Sequence, residues 1–276
     1  MDWQHRVKTF TQALKESEHP PSKLSKDEKT LLIQYINWQQ NECETVQQAI
    51  QNLDFPSIFE YESLKDEILE NSPKKIVDLG CGSGRSSFFF FMNLKKQLPR
   101  DTTFMLADYD RVADGYDITK PFSAKENFDG AQGYMKDDKF VLPYNNFNIA
   151  KLLKNMFCPT MNMEILNLDE NKIQNLSQVD IVYSFASIGY HYSIATAFEE
   201  YNIKNILRPG GKFICDAQRD PPNSNQEFVY KEYEKAIKQV TQMGLKFKKL
   251  VDVRERPISG HFRDFYIFTK EKSSTE

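Results

Sequence analysis

The segment from Lys74 to Ser87, KKIVDLGCGSGRSS, limits the fold of this chain more than any other part of the sequence. A short run of β-branched and apolar residues ends at Asp78 and Leu79, and glycines follow at positions 80, 82 and 84. Glycine permits positive φ angles and lets a ligand approach the backbone where a Cβ atom would otherwise intervene. A strand that runs through such a turn into a helix predicts a doubly wound α/β sheet, in which ligands bind at the carboxyl ends of the strands.

The chain after residue 73 alternates between strand and helix patterns. The predicted strands cover residues 76–79, 104–108, 163–167, 179–185, 212–216, 247–254 and 262–269, and the predicted helices cover 85–97, 147–157, 194–207 and 227–243. Such alternation is typical of a parallel sheet with helices on both faces. The last two strands have no helix between them, so one must run antiparallel. We therefore predict an α/β fold, a Rossmann-like seven-stranded mixed sheet with an antiparallel strand at the C-terminal end and a polar, irregular insertion at 109–145.

Residues 1–72 contain no strand pattern and predict a helical N-terminal extension, followed by the main domain at 73–276. Ser25 and Glu28 have the spacing of a capping box, which opens a predicted helix that continues to residue 53. Pro56 is predicted to end this helix, and a shorter helix then leads to the first strand. The extension could cap the ligand site or bind a partner protein, and the sequence leaves both open.

Charge and cysteine content exclude several classes of protein. The net charge is -3, from 36 basic and 39 acidic residues, whereas a binder of long nucleic acids normally carries a basic excess. The four cysteines form no CxxC pair and no zinc-like spacing with histidine, so we expect reduced thiols and no metal site. We find no signal peptide and no apolar run near the ~20 residues that span a bilayer. These features predict a soluble, cytoplasmic protein without a membrane partner.

The glycine loop lacks the marks of a phosphate-binding site. A Walker loop ends in GK[ST], which is absent, and a dinucleotide fingerprint needs a third glycine where this chain has Arg85. The pattern that is present, D-x-G-x-G-x-G, resembles motif I of class I S-adenosylmethionine (SAM)-dependent methyltransferases. The amino acid end of SAM carries an ammonium group, so the carboxylate of Asp78 is electrostatically suited to it.

The resemblance extends over about residues 74–270 and implies further contacts to the cofactor. Asp108, at the end of the second predicted strand, would accept hydrogen bonds from the ribose hydroxyls, with Asp110 as the alternative. Asp169 would meet the adenine amino group, although Asn167 and Glu170 are equally available. The segment LRPGGKF matches the family's connection before the fifth strand. The implied cofactor residues are Asp78, Gly80, Cys81, Gly82, Gly84, Asp108, Asp169, Ser184 and Phe185.

The acceptor side is predicted from the segment Val179–Tyr192, VDIVYSFASIGYHY. In the family, the end of this strand lies beside the transferable methyl group. The [DNS]-PP-[YFW] motif of amino-directed nucleic-acid methyltransferases is absent here. An O-methyltransferase needs a group that takes the hydroxyl proton, and His191 is our candidate base because histidine titrates near neutral pH. Ser187, Tyr190 and Tyr192 are the candidate acceptor residues. His191 as a structural residue and the two tyrosines as packing residues are the alternatives.

The sequence narrows the range of possible acceptors but does not identify one. SFASIGYHYSI resembles a subgroup of sugar O-methyltransferases, apart from Ile188, where that subgroup has Trp. Arg254, Arg256, His261 and Arg263 could hold an anionic acceptor, or they could belong to a solvated loop. We predict a SAM-dependent methyltransferase of a sugar or another small hydroxylated acceptor. The alternatives are a methyltransferase of RNA or protein, and a non-catalytic subunit of the same fold that binds another chain.

Overall fold

The computed structural model describes residues 7–38, 43–108, 134–136, 139–141, 147–168, 173–185, 187–188, 194–219, 227–251 and 262–272. Its α-helices are α1 (Phe10–Glu16), α2 (Lys26–Trp38), α3 (Val46–Leu69), α4 (Arg85–Leu94), α5 (Phe147–Phe157), α6 (Ile194–Glu200), α7 (Ile203–Ile206) and α8 (Glu227–Gln242). Its strands are β1 (Lys75–Leu79), β2 (Thr103–Asp108), β3 (Tyr134–Lys136), β4 (Lys139–Val141), β5 (Asn162–Asn167), β6 (Val179–Ser184), β7 (Leu207–Arg219), β8 (Leu245–Val251) and β9 (Phe262–Lys270). Short 3-10 helices lie at Pro21–Lys23 and Ile173–Asn175.

The main sheet has seven strands in the order β5-β2-β1-β6-β7-β9-β8. The first five run parallel to one another, and β9 runs antiparallel to both β7 and β8. This arrangement confirms the predicted Rossmann-like mixed sheet with its antiparallel strand at the C-terminal end. Because the chain proceeds from β1 to one side and later returns to place β6 on the other, the strand order reverses at β1. In open α/β sheets, such a switch point opens a crevice at the carboxyl ends of the strands.

Two hydrophobic clusters cover the two faces of this sheet. The first contains the aromatic run Phe88, Phe89 and Phe90 of α4, and the second contains Phe198 of α6 with Phe213 of β7. Side chains of α3 belong to the first cluster together with side chains of β1 and β6, so the N-terminal helices and the sheet share one core. The predicted boundary between 1–72 and 73–276, and the role of the first segment as a cap, stay predictions.

The N-terminal helices differ from the prediction at two points. The predicted capping box is confirmed, because the Glu28 N–H donates to Ser25 Oγ at 3.1 Å and the Ser25 N–H donates to Glu28 Oε2 at 2.8 Å. However, the single helix predicted up to residue 53 is wrong. It is divided into α2 and α3, and α3 begins behind a second capping box, in which the Gln48 N–H donates to Thr45 Oγ1 at 3.2 Å.

The predicted break at Pro56 is also wrong, because Pro56 lies inside α3. Proline removes one backbone hydrogen bond from a helix. Buried side chains on both sides of it, Leu53 and Phe59 among them, keep the helix continuous by packing into the core. The Ser57 hydroxyl also donates to the Leu53 carbonyl at 2.6 Å, next to the lost bond.

Three further differences lie in the second half of the chain. The helix predicted at 194–207 is two helices, α6 and α7, because Asn202 between them adopts a positive φ of 52°. Strand β7 begins at Leu207, five residues before the predicted start, and so includes Pro209. The insertion predicted as irregular contains the antiparallel pair β3 and β4. Among the described residues, no helix has the length and apolarity needed to cross a membrane.

Candidate cofactor site

The glycine loop adopts backbone angles that account for its spacing. Gly80, Gly82 and Gly84 have φ angles of +71°, +53° and +72°, a region that residues with a Cβ atom rarely enter. A Cβ atom on Gly80 would also lie 2.3 Å from the Ser187 Oγ atom, and one on Gly84 would lie 2.7 Å from the Leu106 Cδ1 atom. Conformation therefore favours glycine at all three positions, and contact adds a second reason at Gly80 and Gly84.

The N–H groups of this loop bond to the protein itself. Gly80 and Cys81 both donate to the Ala107 carbonyl, at 2.8 and 3.3 Å, and Gly84 donates to the Cys81 carbonyl at 2.8 Å. A phosphate-binding loop instead turns successive N–H groups toward the ligand. These three N–H groups already have partners in the protein and are therefore not turned toward a ligand in that way.

Asp108 ends β2 next to the loop. Its carboxylate Oδ2 accepts the Gly82 N–H at 2.7 Å, and its backbone carbonyl accepts the Leu168 N–H at 2.8 Å. The side chain is buried, with 7% of the residue exposed. The structure thus brings Asp108 to the glycine loop, as the sequence predicts. Its contact with a ribose stays a prediction, and the alternative, Asp110, lies outside the described residues.

Asp78 lies at the end of β1, buried beneath the loop. The Ser87 hydroxyl donates to its Oδ2 atom at 2.8 Å, and the Ser87 Oγ atom lies 2.5 Å from the Tyr183 hydroxyl. Burial raises the pKa of Asp78 from 3.8 to about 7, since the hydrogen bond from Ser87 only partly offsets the loss of water. The carboxyl group therefore changes its charge near neutral pH.

Arg85 follows the loop and anchors it to the N-terminal region. Its Nη1 atom donates to Ser57 Oγ at 2.9 Å, and its Nη2 atom donates to Glu60 Oε1 at 2.8 Å. The Ser86 hydroxyl donates to the other Glu60 oxygen at 2.6 Å. The Glu60 side chain is only 1% exposed and that of Arg85 is 14% exposed. We name the group formed by Ser57, Glu60, Arg85 and Ser86 the loop clamp.

Sequence reasoning missed the loop clamp. Arg85 entered that reasoning only because a dinucleotide fingerprint needs glycine at its position. In the structure, its side chain forms a buried ion pair with Glu60. The available signal was Glu60 itself, which stands between Phe59 and Tyr61 in a run that is otherwise apolar. An acid in such a position normally has a buried partner.

Two acids and one guanidinium group therefore act on Asp78 at this end of the sheet. Both Glu60 and Asp108 act on Asp78 and raise its pKa, while Arg85 acts in the opposite direction. The Glu60 carboxylate also lies at the first turn of α4, where a helix otherwise attracts a phosphate. The site thus has an excess of negative charge, which favours a cationic ligand over a phosphorylated one.

Cys81 contributes a thiol rather than a thiolate to the loop. Burial, followed by the charges of Asp108 and Asp78, raises its pKa well above the ordinary value. Nucleophilic chemistry requires the thiolate. Cys81 is therefore suited to contact a ligand and is not suited to attack one. In the described part of the chain, no group of three or more His, Cys, Asp or Glu side chains is arranged so that it could hold a metal ion.

The end of β6 meets the glycine loop. The Ser184 Oγ atom accepts the Ile188 N–H at 3.2 Å, and the Ser187 side chain lies against Gly80. These two serines are thus brought to the predicted site. The Phe185 ring instead stacks on Tyr183, with centroids 4.8 Å apart, within the aromatic core. A cofactor contact of Phe185 stays a prediction and would involve its backbone.

Four of the predicted site residues lie outside the described residues: Asp169, Tyr190, His191 and Tyr192. The arginine cluster predicted at the closing hairpin is also beyond them, apart from the backbone of Arg263 in β9. Their roles stay predictions from the sequence.

Comparisons with known proteins find similar solved structures only. No protein-family model matches, and no curated protein matches. A methyltransferase from Pyrococcus furiosus is 13% identical, with 78% of this chain and 83% of that chain covered and a TM-score of 0.47. An O-methyltransferase family protein from Burkholderia thailandensis is 12% identical, with 83% and 61% covered and a TM-score of 0.46. Fibrillarin from Aeropyrum pernix, solved with natively bound SAM, is 13% identical, with 72% and 67% covered and a TM-score of 0.43. Because unrelated functions share a fold, the function of this chain has to come from its loop and acids.

Proposed function

We propose that this protein is a SAM-dependent methyltransferase that methylates a hydroxyl group of a sugar or of another small acceptor. The observation that carries the proposal is a glycine loop in which the N–H groups of Gly80, Cys81, Gly82 and Gly84 are already bonded, together with three buried acids near it. SAM suits this site because its ammonium and sulfonium groups are positive and it has no phosphate. A dinucleotide would instead bring its pyrophosphate against Glu60, Asp78 and Asp108.

In this proposal the loop residues hold the two ends of the cofactor. Asp78 takes the ammonium group, and the positive-φ glycines let the amino acid end approach the backbone. Asp108 is close enough to the loop to take the ribose hydroxyls while it retains the Gly82 N–H. Asp169 would contact the adenine, and Cys81, Ser184 and Phe185 would line the remaining cofactor surface.

The acceptor would bind on the side of β6, near Ser187, Tyr190 and Tyr192. When bound, SAM supplies the methyl group: a bond forms from the acceptor oxygen to the methyl carbon while the carbon–sulfur bond breaks, which leaves S-adenosylhomocysteine. His191, in its neutral form, would take the hydroxyl proton. The chain's main contribution would be to hold the two reactants in line.

A labelled-methyl transfer assay tests this proposal. The wild-type protein is incubated with methyl-labelled SAM and fractionated small-molecule extracts, and the same fractions are offered to His191→Ala. We expect label in a hydroxylated product with the wild type and a rate reduced by about 10²–10⁴-fold in the variant. Unchanged turnover in His191→Ala removes this residue from the mechanism. SAM binding without turnover on small molecules, RNA or protein contradicts the enzymatic proposal and favours a non-catalytic subunit.

A further inference from the structure

A chain of three buried oxygen-bearing side chains runs from β6 under the glycine loop to β1. The Tyr183 hydroxyl lies 2.5 Å from Ser87 Oγ, and Ser87 Oγ lies 2.8 Å from Asp78 Oδ2. Tyr183 and Ser87 have no measurable exposure, and Asp78 is 3% exposed. Water therefore cannot replace any of these hydrogen bonds, and the three groups must satisfy one another.

The number of protons fixes the direction of this chain when Asp78 is ionised. A carboxylate only accepts hydrogen bonds, so the Ser87 hydroxyl gives its single proton to Asp78. The Ser87 oxygen then accepts the proton of Tyr183. Burial, followed by the charge of Asp78, raises the pKa of Tyr183 well above its ordinary value, so the phenol keeps its proton and remains a donor.

The Tyr183 ring is held in place by its neighbours. It stacks on Phe185 with an angle of 9° between the ring planes, and it meets the edge of Phe90 at a centroid distance of 5.9 Å. A ring fixed in this way presents its hydroxyl at one point only. The same stacking explains why Phe185, which the sequence assigns to the cofactor, is buried in the core.

From this geometry, and on the basis of the proposed function, we propose that Tyr183 and Ser87 are positioning residues for cofactor binding. Their hydroxyl groups form a directed chain of hydrogen bonds that favours the charged form of Asp78 and fixes its orientation for the ammonium group of SAM. They act through Asp78 and do not touch the cofactor themselves. In their absence, burial and the nearby acids would shift Asp78 further toward its protonated form at neutral pH.

Several titratable or charged groups surround Asp78 and must be considered with it. Among the described residues, these groups are Glu60 of α3, Cys81 of the loop, Arg85 of α4, Asp108 of β2 and Tyr183 of β6. Of these, Arg85 favours the charged form of Asp78 and the two acids oppose it. The hydroxyl chain adds to the effect of Arg85 without bringing a further charge.

The first experiment reads the charge of Asp78 without any ligand. The carboxyl carbon of Asp78 is followed by ¹³C NMR between pH 5 and pH 9 and is assigned as the signal that Asp78→Asn lacks. We expect a midpoint near 7 in the wild type. Ser87→Ala removes the hydrogen bond to the charged carboxylate, and Tyr183→Phe removes the donor that polarises that bond, so each variant should raise the midpoint by about one pH unit. An unchanged midpoint in both variants overturns the proposal.

The second experiment separates positioning from a structural role. Binding of S-adenosylhomocysteine, which has the amino group, is compared by calorimetry with binding of 5′-methylthioadenosine, which lacks it. For Tyr183→Phe we expect an S-adenosylhomocysteine affinity about tenfold lower at pH 6 and less than twofold lower at pH 8.5, because Asp78 regains its charge as the pH rises. The affinity for 5′-methylthioadenosine should stay within about twofold at both pH values.

Tyr61→Phe is the matched control, since Tyr61 is a buried tyrosine of α3 that packs on Phe89 and Phe90 in the same core. It should change neither the midpoint nor either affinity. An equal loss of both ligands at both pH values in Tyr183→Phe shows a purely structural role and overturns the proposal. If the folded wild type binds neither ligand, the proposed function and the role of the chain in binding both fail. The NMR midpoint still reports whether the chain controls Asp78.

Discussion

Helix α3 is attached to the sheet region by two sets of ion pairs that differ in their neighbours. The loop clamp joins Glu60 to Arg85 directly beside Asp78. About two turns later, Glu67 accepts from Lys212 of β7 at 2.6 Å and also pairs with Lys248 of β8. Both acids are largely buried, with side-chain exposures of 1% and 12%. We name the group of Glu67, Glu70, Lys212 and Lys248 the distal attachment.

The difference between these two attachments separates stability from binding. The loop clamp holds α3 against α4 and the distal attachment holds it against β7 and β8, so the loss of either should weaken the fold. Of the two attachments, only the loop clamp acts electrostatically on Asp78, through Glu60 and Arg85. It also includes the first two residues of α4, which directly follow the glycine loop. We therefore expect changes in the loop clamp to alter both stability and cofactor affinity, whereas changes in the distal attachment should alter stability alone.

The largest effect on stability is expected for Glu60→Gln. This substitution leaves the Arg85 guanidinium buried without its carboxylate, and removing one member of a buried ion pair typically costs about 3–5 kcal/mol of unfolding free energy. The affinity for SAM should fall by about tenfold as well, because α4 loses its attachment below the loop. Urea unfolding and calorimetry measure the two effects.

A double variant shows whether charge or mere packing matters in the loop clamp. Glu60→Leu together with Arg85→Met replaces the ion pair by apolar side chains, which is often neutral or stabilising. We expect the stability to return and the SAM affinity to remain low. Recovery of both would mean that the clamp acts only through packing and would remove the contrast with the distal attachment.

The pH dependence of stability should have opposite signs for Asp78, which lies beside the loop clamp, and for Glu67 of the distal attachment. The pKa of Asp78 is raised to about 7, so its contribution to folding is fully present below about pH 4 and is lost as the pH rises through 7. Wild-type stability should therefore fall by roughly 2–3 kcal/mol relative to Asp78→Asn between pH 5 and pH 8. Thermal or urea unfolding of both proteins at each pH measures this difference, and parallel pH profiles would contradict the shifted pKa.

The pKa of Glu67 in the distal attachment is shifted in the opposite direction to that of Asp78. Burial would raise its pKa, but the hydrogen bonds from Lys212 and Lys248 outweigh burial and the pKa is lowered. Its contribution is therefore present above its ordinary pKa of 4.5 and is lost as the pH falls below that value. A comparison of the wild type with Glu67→Gln should show the difference in stability shrinking in acid.

A smaller effect on stability is expected for Gly80→Ala, which disturbs the loop while both attachments stay intact. The positive φ angle and the contact with Ser187 should lower stability by about 1–2 kcal/mol and abolish measurable SAM binding. The matched control is Gly210→Ala, at a φ of +78°, where the added Cβ would meet only the flexible Lys272 side chain at 3.3 Å. That variant should lose a similar stability and keep its affinity. Calorimetry on both proteins shows whether the loss of SAM binding comes from the change at the glycine loop or from the loss of stability as such.

The smallest effect on stability is expected for Lys212→Met in the distal attachment. Glu67 keeps Lys248 as a partner, so the loss should be about 1 kcal/mol. Affinity for SAM should stay within about twofold of the wild type, since no member of this attachment acts on Asp78. A clear loss of affinity would show that the distal attachment also controls the site and would break the comparison.

The parts of this molecule that could be predicted are those determined by neighbouring residues in the sequence. The β1 strand, the glycine turn and Asp108 at the end of β2 follow from local patterns of apolar residues and glycines, and the structure brings them together. Helix α5 and the antiparallel end of the sheet were predictable for the same reason. The order of the strands then follows from the rules of α/β folds.

The features that could not be predicted depend on contacts distant in sequence. Glu60 meets Arg85 across 25 residues, and nothing near Glu60 marks that partner. Pro56 stays inside α3 because the core on both sides of it outweighs one missing hydrogen bond. Tyr183 looks like an ordinary strand residue until Ser87, 96 residues away, is placed beside its hydroxyl.

Calorimetric titration of the folded protein with SAM tests the central claim most directly. The acids around the loop predict roughly micromolar binding of SAM by the wild type and no binding of NAD. Asp78→Asn should weaken SAM binding by about 100-fold, because it removes the buried charge that we propose as the partner of the ammonium group. Asp101→Asn, at an exposed aspartate paired with Lys74, should leave it unchanged. No heat with SAM or S-adenosylhomocysteine, or a preference for NAD, would contradict a SAM site at the glycine loop.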